Sequence, residues 1–242
     1  MDGCLIIHGL TGTPATVASL KESLMAAGYR VAVPCLAGHG MRVEDLAEST
    51  WQEWYETVRI SFDSLRSEVG RVYCAGISLG ALLSLKLALD EGWGVRALAL
   101  LATPLRLSLL EAMAVPMVRY SPLRWFIKSV PKDMEKSVAD PEGRMIYSQQ
   151  SLPAIPTSAV FQISDLQRNI ESNLGEIANP ILMLHGTGDK VAPKKNIDLV
   201  RRRVKSDIVE VTIFPRSRHV ITLDYEKDEV ARTTVEFFKR FS

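Results

Sequence analysis

The sequence predicts an α/β fold: a mostly parallel sheet with helices on both faces, interrupted by an inserted helical cap. Three observations predict it. Short apolar runs rich in β-branched residues alternate with helical runs from residue 4 to residue 101, and again from residue 180 onward. The strand-like runs are apolar almost throughout, as strands covered on both faces must be. From 105 to 179 the alternation stops and prolines recur (Pro116, Pro122, Pro131, Pro141, Pro153, Pro156). That stretch reads as a cap inserted into one domain, whose core is 1–104 and 180–242.

Each element has its own signal. Residues 4–7 form a short apolar strand, followed by the glycine-rich loop 8–14. An amphipathic helix over 15–27 is closed by Gly28, and 29–34 is the second strand. Thr50 and Glu53 make a capping box that opens a helix to about residue 69, with Trp51, Trp54, Val58 and Phe62 on one face. Residues 71–75 are a strand and 79–89 an alanine- and leucine-rich helix. Strand 95–101 precedes the cap. After it come strand 181–184, helix 193–204, strand 208–214 and a last helix over 225–241.

Composition removes several functional classes. The chain has 242 residues, 47% apolar and 24% charged, enough for one α/β domain with a sizeable core. A net charge of +1 gives no field to attract nucleic acid or an anionic membrane. No apolar run approaches the ~20 residues of a membrane-spanning helix, so integral membrane association is not expected. The first residues lack the basic start and apolar stretch of a signal peptide. Cys4, Cys35 and Cys74 sit in or beside predicted core strands at no ligand spacing; they read as buried thiols of a cytoplasmic protein. No metal and no cofactor is expected, because neither a His-Glu-x-x-His pattern nor a Cys/His cluster occurs. Gly9-x-x-Gly12 is too short for a phosphate loop, and Arg201–Arg203 reads as a solvated helix face.

The chemistry centres on Gly76-Ile77-Ser78-Leu79-Gly80, between a predicted strand and a predicted helix. The two glycines let strand and helix pack closely around a serine held in a sharp turn. Such a motif also arises as an ordinary strand-to-helix loop, so its partners matter. A serine nucleophile needs a base, and the base needs an orienting carboxylate. Asp189 follows the strand 181–184, and His219 follows the strand 208–214. In parallel sheets the reactive residues gather at these carboxyl ends. Ser78, Asp189 and His219 are therefore expected to form a catalytic triad. The backbone N–H groups of Leu79 and Leu10 are expected to form the oxyanion hole. His8 and His185 read as braces for neighbouring loops. His39 reads as a loop residue that could border the pocket. Of the cap residues Leu109, Leu110, Met113, Met117, Leu123, Trp125 and Phe126, some are expected to face the serine and form an acyl or alkyl pocket, while any single one is better read as cap core.

The motifs HGLTGTP (8–14), GHG (38–40), Trp51-x-x-Trp54, GISLG (76–80), HGTGD (185–189) and SRHVITLDYEKDEV (217–230) resemble the serine carboxylesterase and monoacylglycerol lipase branch of the α/β-hydrolases. The resemblance covers nearly the whole chain and is weakest in the cap. It implies the α/β-hydrolase fold, the same triad and oxyanion residues, and hydrolysis of a small-molecule ester of short-to-medium acyl chain. It leaves monoacylglycerol lipase and thioesterase activity open, as well as a non-catalytic binding role on the same fold. Members of that branch usually carry a further N-terminal segment before the first strand here, so one edge of the sheet is expected to be short. The oligomeric state is not legible.

Overall fold

In the computed structural model, residues 1–242 are described, the side chains of Leu109 and Glu111 apart. The apolar runs form strands β1 (Gly3–Ile7), β2 (Arg30–Ala32), β3 (Val72–Ile77), β4 (Val95–Leu101), β5 (Ser129–Pro131), β6 (Ala154–Pro156), β7 (Ile181–Gly186) and β8 (Val209–Phe214). The helices are α1 (Ala18–Ala26), α2 (Val43–Glu48), α3 (Trp51–Arg66), α4 (Leu79–Glu91), α5 (Leu109–Arg119), α6 (Leu123–Phe126), α7 (Met134–Ser137), α8 (Pro141–Gln149), α9 (Thr157–Asn173), α10 (Lys195–Arg203) and α11 (Lys227–Lys239).

Six strands pair in parallel in the order β2-β1-β3-β4-β7-β8. The central strands β1, β3 and β7 are buried along their whole length. Side chains alternate across the sheet with period two. Leu5, Ile7, Cys74 and Leu98 pack with Trp54, Val58, Phe62 and Leu82 on one face. Cys4, Ile6, Tyr73 and Ala75 pack with Leu20, Leu24, Phe237 and Phe238 on the other. The parallel register puts the carboxyl ends of β1, β3, β4, β7 and β8 along one rim, where every expected site residue lies.

Local chemistry moved several boundaries. The edge strand β2 stops at Ala32, just before Pro34, which has no N–H to give a ladder. The expected helix 15–27 starts as a 3-10 turn, Pro14–Val17, and becomes α-helical at Ala18. The capping box of Thr50 and Glu53 opens α3 as expected, but the helix ends at Arg66. The last helix starts at Lys227 because Asp224 and Glu226 turn back toward the rim. Short helix α2 was not expected; Asp45 accepts the Arg42 N–H and fixes its first turn. Cys35 is exposed, contrary to the expectation that all three thiols are buried.

Residues 105–179 also hold a small antiparallel pair, β5 with β6, that sequence patterning missed. Each strand has three residues and ends in proline, too short for a period to register. Arg119 of α5 pairs with Asp165 of α9 and ties this region together.

Gly80 sits where a Cβ would lie 2.0 Å from the Ile7 carbonyl oxygen. Gly80→Ala therefore forces α4 off β1 and is expected to cost more than about 3 kcal/mol. Gly92→Ala, at φ +51° with open space around it, is expected to cost about 1 kcal/mol. Urea unfolding of both variants measures the contrast; equal costs would overturn the close-approach account.

Candidate active site

Ser78 occupies the turn between β3 and α4 with φ 55° and ψ −114°, a strained conformation for a residue with a side chain. Its N–H donates to the Leu101 carbonyl at 2.9 Å, which ties the turn to β4. A Cβ on Gly76 would lie 2.2 Å from the Gly80 carbonyl oxygen. The two glycines thus permit the tight crossing that lifts the hydroxyl above the sheet. Leu79 is the first residue of α4, where N–H groups lack an intrahelical acceptor.

The loop after β1 lies against this turn. The Cβ position of Gly9 is 3.5 Å from the Ser78 Cβ. Gly12 N–H donates to the Gly9 carbonyl at 3.1 Å, and Thr11 takes φ 66°. Leu10 therefore stands at the mouth of a tight turn facing the serine.

Asp189 and His219 meet because their loops touch. A Cβ on Gly186 would lie 2.3 Å from the Arg218 carbonyl oxygen, and Gly188 N–H donates to the Ser217 carbonyl at 3.0 Å. His219 Nδ1 lies 2.9 Å from Asp189 Oδ2, and its Nε2 lies 2.9 Å from Ser78 Oγ. The three residues that sequence order selected are thus in one hydrogen-bonded line. Asp189 Oδ1 accepts the N–H groups of Val191 (2.8 Å) and Ala192 (2.9 Å). Burial alone would raise the Asp189 carboxyl. The facing His219 and the Ala192 N–H outweigh it and hold the group below the usual carboxylate range. An ionised Asp189 can only accept, so Nδ1 carries the proton and Nε2 is free to accept from the serine hydroxyl.

Two carboxylates that sequence reasoning did not single out hold the histidine loop. Asp224 is fully buried. It accepts four backbone N–H groups: Arg218 (2.8 Å) and Tyr225 (3.0 Å) from its own loop, and Ala139 (3.0 Å) and Asp140 (2.9 Å) from the inserted segment. Glu226 accepts the Ser217 hydroxyl at 2.6 Å and the Arg216 N–H at 3.0 Å. Both lie in the 217–230 stretch, but their partners are set by the fold.

The remaining histidines are structural in geometry. His8 Nε2 accepts the Leu36 N–H at 3.1 Å, while Nδ1 is 2.9 Å from the Gly9 carbonyl. Burial and the neighbouring His39 push His8 down to about 3. His39 holds the Ala37 carbonyl through Nδ1 at 3.0 Å, packs edge-on against Trp54, and does not line the cavity above the serine. Burial lowers it to about 4. His185 Nε2 stands 3.8 Å from Asp189, and burial lowers its pKa.

Ser78 and His219 open into a cavity of about 240 Å³. Its apolar wall includes Leu10, Leu107, Ile155, Val160, Ile163 and Val220. The cap residues expected to supply a pocket do not line it. Leu110, Met113, Met117, Leu123, Trp125 and Phe126 are exposed to solvent, and the Leu109 side chain lies outside the described residues. The better signal was Val160 and Ile163, three apart on one face of α9. Among the described residues, no cluster of three or more His, Cys, Asp or Glu is placed to hold a metal ion. Among the described residues, no helix is long and apolar enough to cross a membrane.

Comparison with known proteins places this geometry. The family model Hydrolase_4 (serine aminopeptidase, S33) matches residues 2–226. The thermostable monoacylglycerol lipase of Bacillus sp. (strain H-257) is 27% identical over 239 residues, covering 98% of this chain and 90% of the relative. The carboxylesterase of Bacillus subtilis (strain 168) is 25% identical over 237 residues, covering 98% and 92%. A solved structure from work on the metagenome-derived lipolytic enzymes LipS and LipT superposes with a TM-score of 0.87 at 24% identity, over 99% of this chain and 94% of that one. The fold is that of the α/β-hydrolases.

Two outcomes test the scaffold of the site. Asp224→Asn replaces a carboxylate oxygen with an amide donor facing backbone N–H groups; it is expected to cost about 3 kcal/mol in urea unfolding. His39 is neutral in the fold down to about pH 4, whereas the unfolded imidazole protonates near 6.5. The unfolded state then binds more protons, so the His39 contribution is present above pH 6.5 and lost as pH falls to 4, by roughly 3 kcal/mol. The unfolding midpoint should drop more steeply between pH 7 and 4 in the wild type than in His39→Asn; parallel curves would refute this.

Proposed function

The chain belongs to the Hydrolase_4 family (serine aminopeptidase, S33), and on that premise we propose that it is a carboxylesterase. It cleaves carboxylic esters of short-to-medium acyl chain through an acyl-serine intermediate. The observation that carries this reading is the single imidazole, His219, placed 2.9 Å from both Ser78 Oγ and Asp189 Oδ2 at the floor of an apolar cavity.

The roles follow from the protonation states. His219 Nε2 takes the Ser78 proton as Oγ attacks the ester carbonyl. Asp189 holds the imidazole tautomer and stabilises the imidazolium. The N–H groups of Leu79 and Leu10 receive the oxyanion, aided by the start of α4. His219 then protonates the leaving alcohol and activates the water that releases the acid. Residues 105–179 act as a cap that supplies the acyl wall through Leu107, Ile155, Val160 and Ile163. A cavity of about 240 Å³ lies below the ~300–1,000 Å³ typical of drug-sized sites, which favours short-to-medium acyl groups.

Charge argues against an aminopeptidase. Among the described residues, the cavity lining includes Lys132 and Lys136 and one carboxylate, Asp133. Asp133 is already engaged by the backbone N–H and side chain of Lys136. Among those residues, that leaves no free anion for a substrate's terminal ammonium. The monoacylglycerol lipase relative makes a glycerol ester the second reading, since only the alcohol differs; the same triad would also serve a thioester. The small-molecule ester needs no cofactor. A cytoplasmic location fits three free thiols.

Ser78→Ala is expected to lose nearly all p-nitrophenyl esterase activity, leaving ~10³–10⁴-fold over water, and to stop reacting with a fluorophosphonate. Wild-type rates on p-nitrophenyl esters of rising chain length, monoacylglycerols and acyl-CoAs decide among the three substrate classes. A wild type that binds esters but never labels would be a binding protein instead.

A further inference from the structure

The proposed mechanism leaves Lys132 unused, although it lines the same cavity as Ser78 and His219. Lys132 follows β5, and its N–H donates to the Pro153 carbonyl at 3.3 Å, just before β6. Its Nζ donates to Thr11 Oγ1 at 2.8 Å and to Ser151 Oγ at 2.7 Å, and sits 3.8 Å from the centre of the Tyr147 ring. Three donors on an ammonium thus meet two hydroxyls and a ring face.

The target of this contact is the loop next to the serine. Thr11 follows Leu10 directly and is held at φ 66°, which a β-branched residue adopts only when its surroundings enforce it. Those surroundings come from the inserted segment. Leu152 N–H donates to the Thr11 carbonyl at 2.9 Å, and Gly12 bridges Ser151 in antiparallel fashion. Thr13 Oγ1 donates to Gln150 Oε1 at 3.3 Å. The loop after β1 is, in effect, continued into the small β5–β6 sheet.

We propose that Lys132 is a positioning residue: by holding the Thr11 hydroxyl it fixes the strained 9–12 turn that aims the Leu10 N–H at the developing oxyanion. This deepens the esterase reading and rests on Leu10 as an oxyanion donor. The ammonium is drawn from water and makes no ion pair among the described residues, since Asp133 next to it is engaged by Lys136, and burial lowers it to about 7. A cation placed so is expensive unless its contacts organise something. It does not touch the reacting atoms, so its effect passes through Thr11.

The test compares wild type, Lys132→Met, Thr11→Val, Thr11→Ser and the Lys132→Met/Thr11→Val double variant. Two rates are read: kcat on p-nitrophenyl butyrate, and phosphonylation of Ser78 by a fluorophosphonate, whose transition state needs the same hole. Lys132→Met and Thr11→Val should each lower kcat by about 10-fold or more and slow labelling in parallel, with KM within about twofold. Thr11→Ser, which keeps the hydroxyl, should stay close to wild type. The double variant should be no slower than the slower single one, as for one shared contact. Multiplying losses, a loss confined to KM, or an unchanged kcat in Lys132→Met would overturn the proposal. If Lys132→Met does not fold, Lys132→Gln takes its place and is read in the same way, and equal rates for Thr11→Val and Thr11→Ser overturn the proposal. A wild type that labels but hydrolyses no ester defeats the esterase reading, while the labelling rates still decide the role of Lys132.

Discussion

The site depends on a backbone approach that only glycine permits: α4 crosses the end of β1 with Gly80 against the Ile7 carbonyl. With any Cβ there, the helix would stand further from the sheet. The turn ahead of it could then relax, and Ser78 would leave its φ of 55°. The same approach brings the loop after β1 beside the serine, because β1 and β3 are neighbours with Ile7 opposite Gly76. One steric constraint therefore sets both the nucleophile's exposure and its distance from the loop carrying Leu10. A second close contact, Gly186 on the Arg218 carbonyl, does the equivalent for the acid and the base.

Carboxylates near the rim are held by backbone N–H groups, with His219 beside Asp189 and the Arg216 guanidinium 3.9 Å from Glu226. Asp189, Asp224 and Glu226 all accept main-chain N–H groups. An N–H donor neutralises less than a guanidinium would, but it cannot swing away, and each bond locks a loop as well as a side chain. Asp224 is the clearest case. Its two oxygens join the His219 loop to the inserted segment at Ala139 and Asp140, so the base and part of the cavity wall are fixed by one group. Removing the carboxylate would leave buried N–H donors without an acceptor, which is why such sites tolerate little change.

The parts legible in the sequence are those written within short windows. Gly76-x-Ser78-x-Gly80 states its own turn, Asp189 stands just beyond the buried apolar run of β7, and His219 just beyond β8, a β-branched run that forms a partly buried edge strand. The parallel pairing of the six main strands follows from the alternation, whereas their order does not. What stayed hidden was written across long separations. Asp224 reaches back 85 residues to Ala139, and Lys132 reaches 121 residues to Thr11. No window holds both members of such a pair. The apolar residues of 109–126 misled for a related reason: hydrophobicity says that a side chain gains by burial, but not which surface the fold offers it.

That misreading clarifies how the insertion works. Beside the reacting groups it is joined to the core at Asp224, next to the base, and at Thr11, next to the serine, while α9 is tied to α2 and α3 through Ser158 and Gln162. Between those places it contributes the cavity's polar corner, Lys132 to Ser137 with Tyr147, and from α9 the apolar Val160 and Ile163. The stretch carrying Trp125 and Phe126 lies outside both joints, and neither residue lines the cavity above the serine. An insertion attached this way cannot shift as a body without disturbing both the Leu10 loop and the His219 loop. Substitutions in its stitched parts should therefore act on the rate of reaction, even where they touch no substrate. Substitutions of the exposed Trp125 and Phe126 remove no cavity-lining group and should act less, although α5 stays tied to α9 through Arg119 and Asp165.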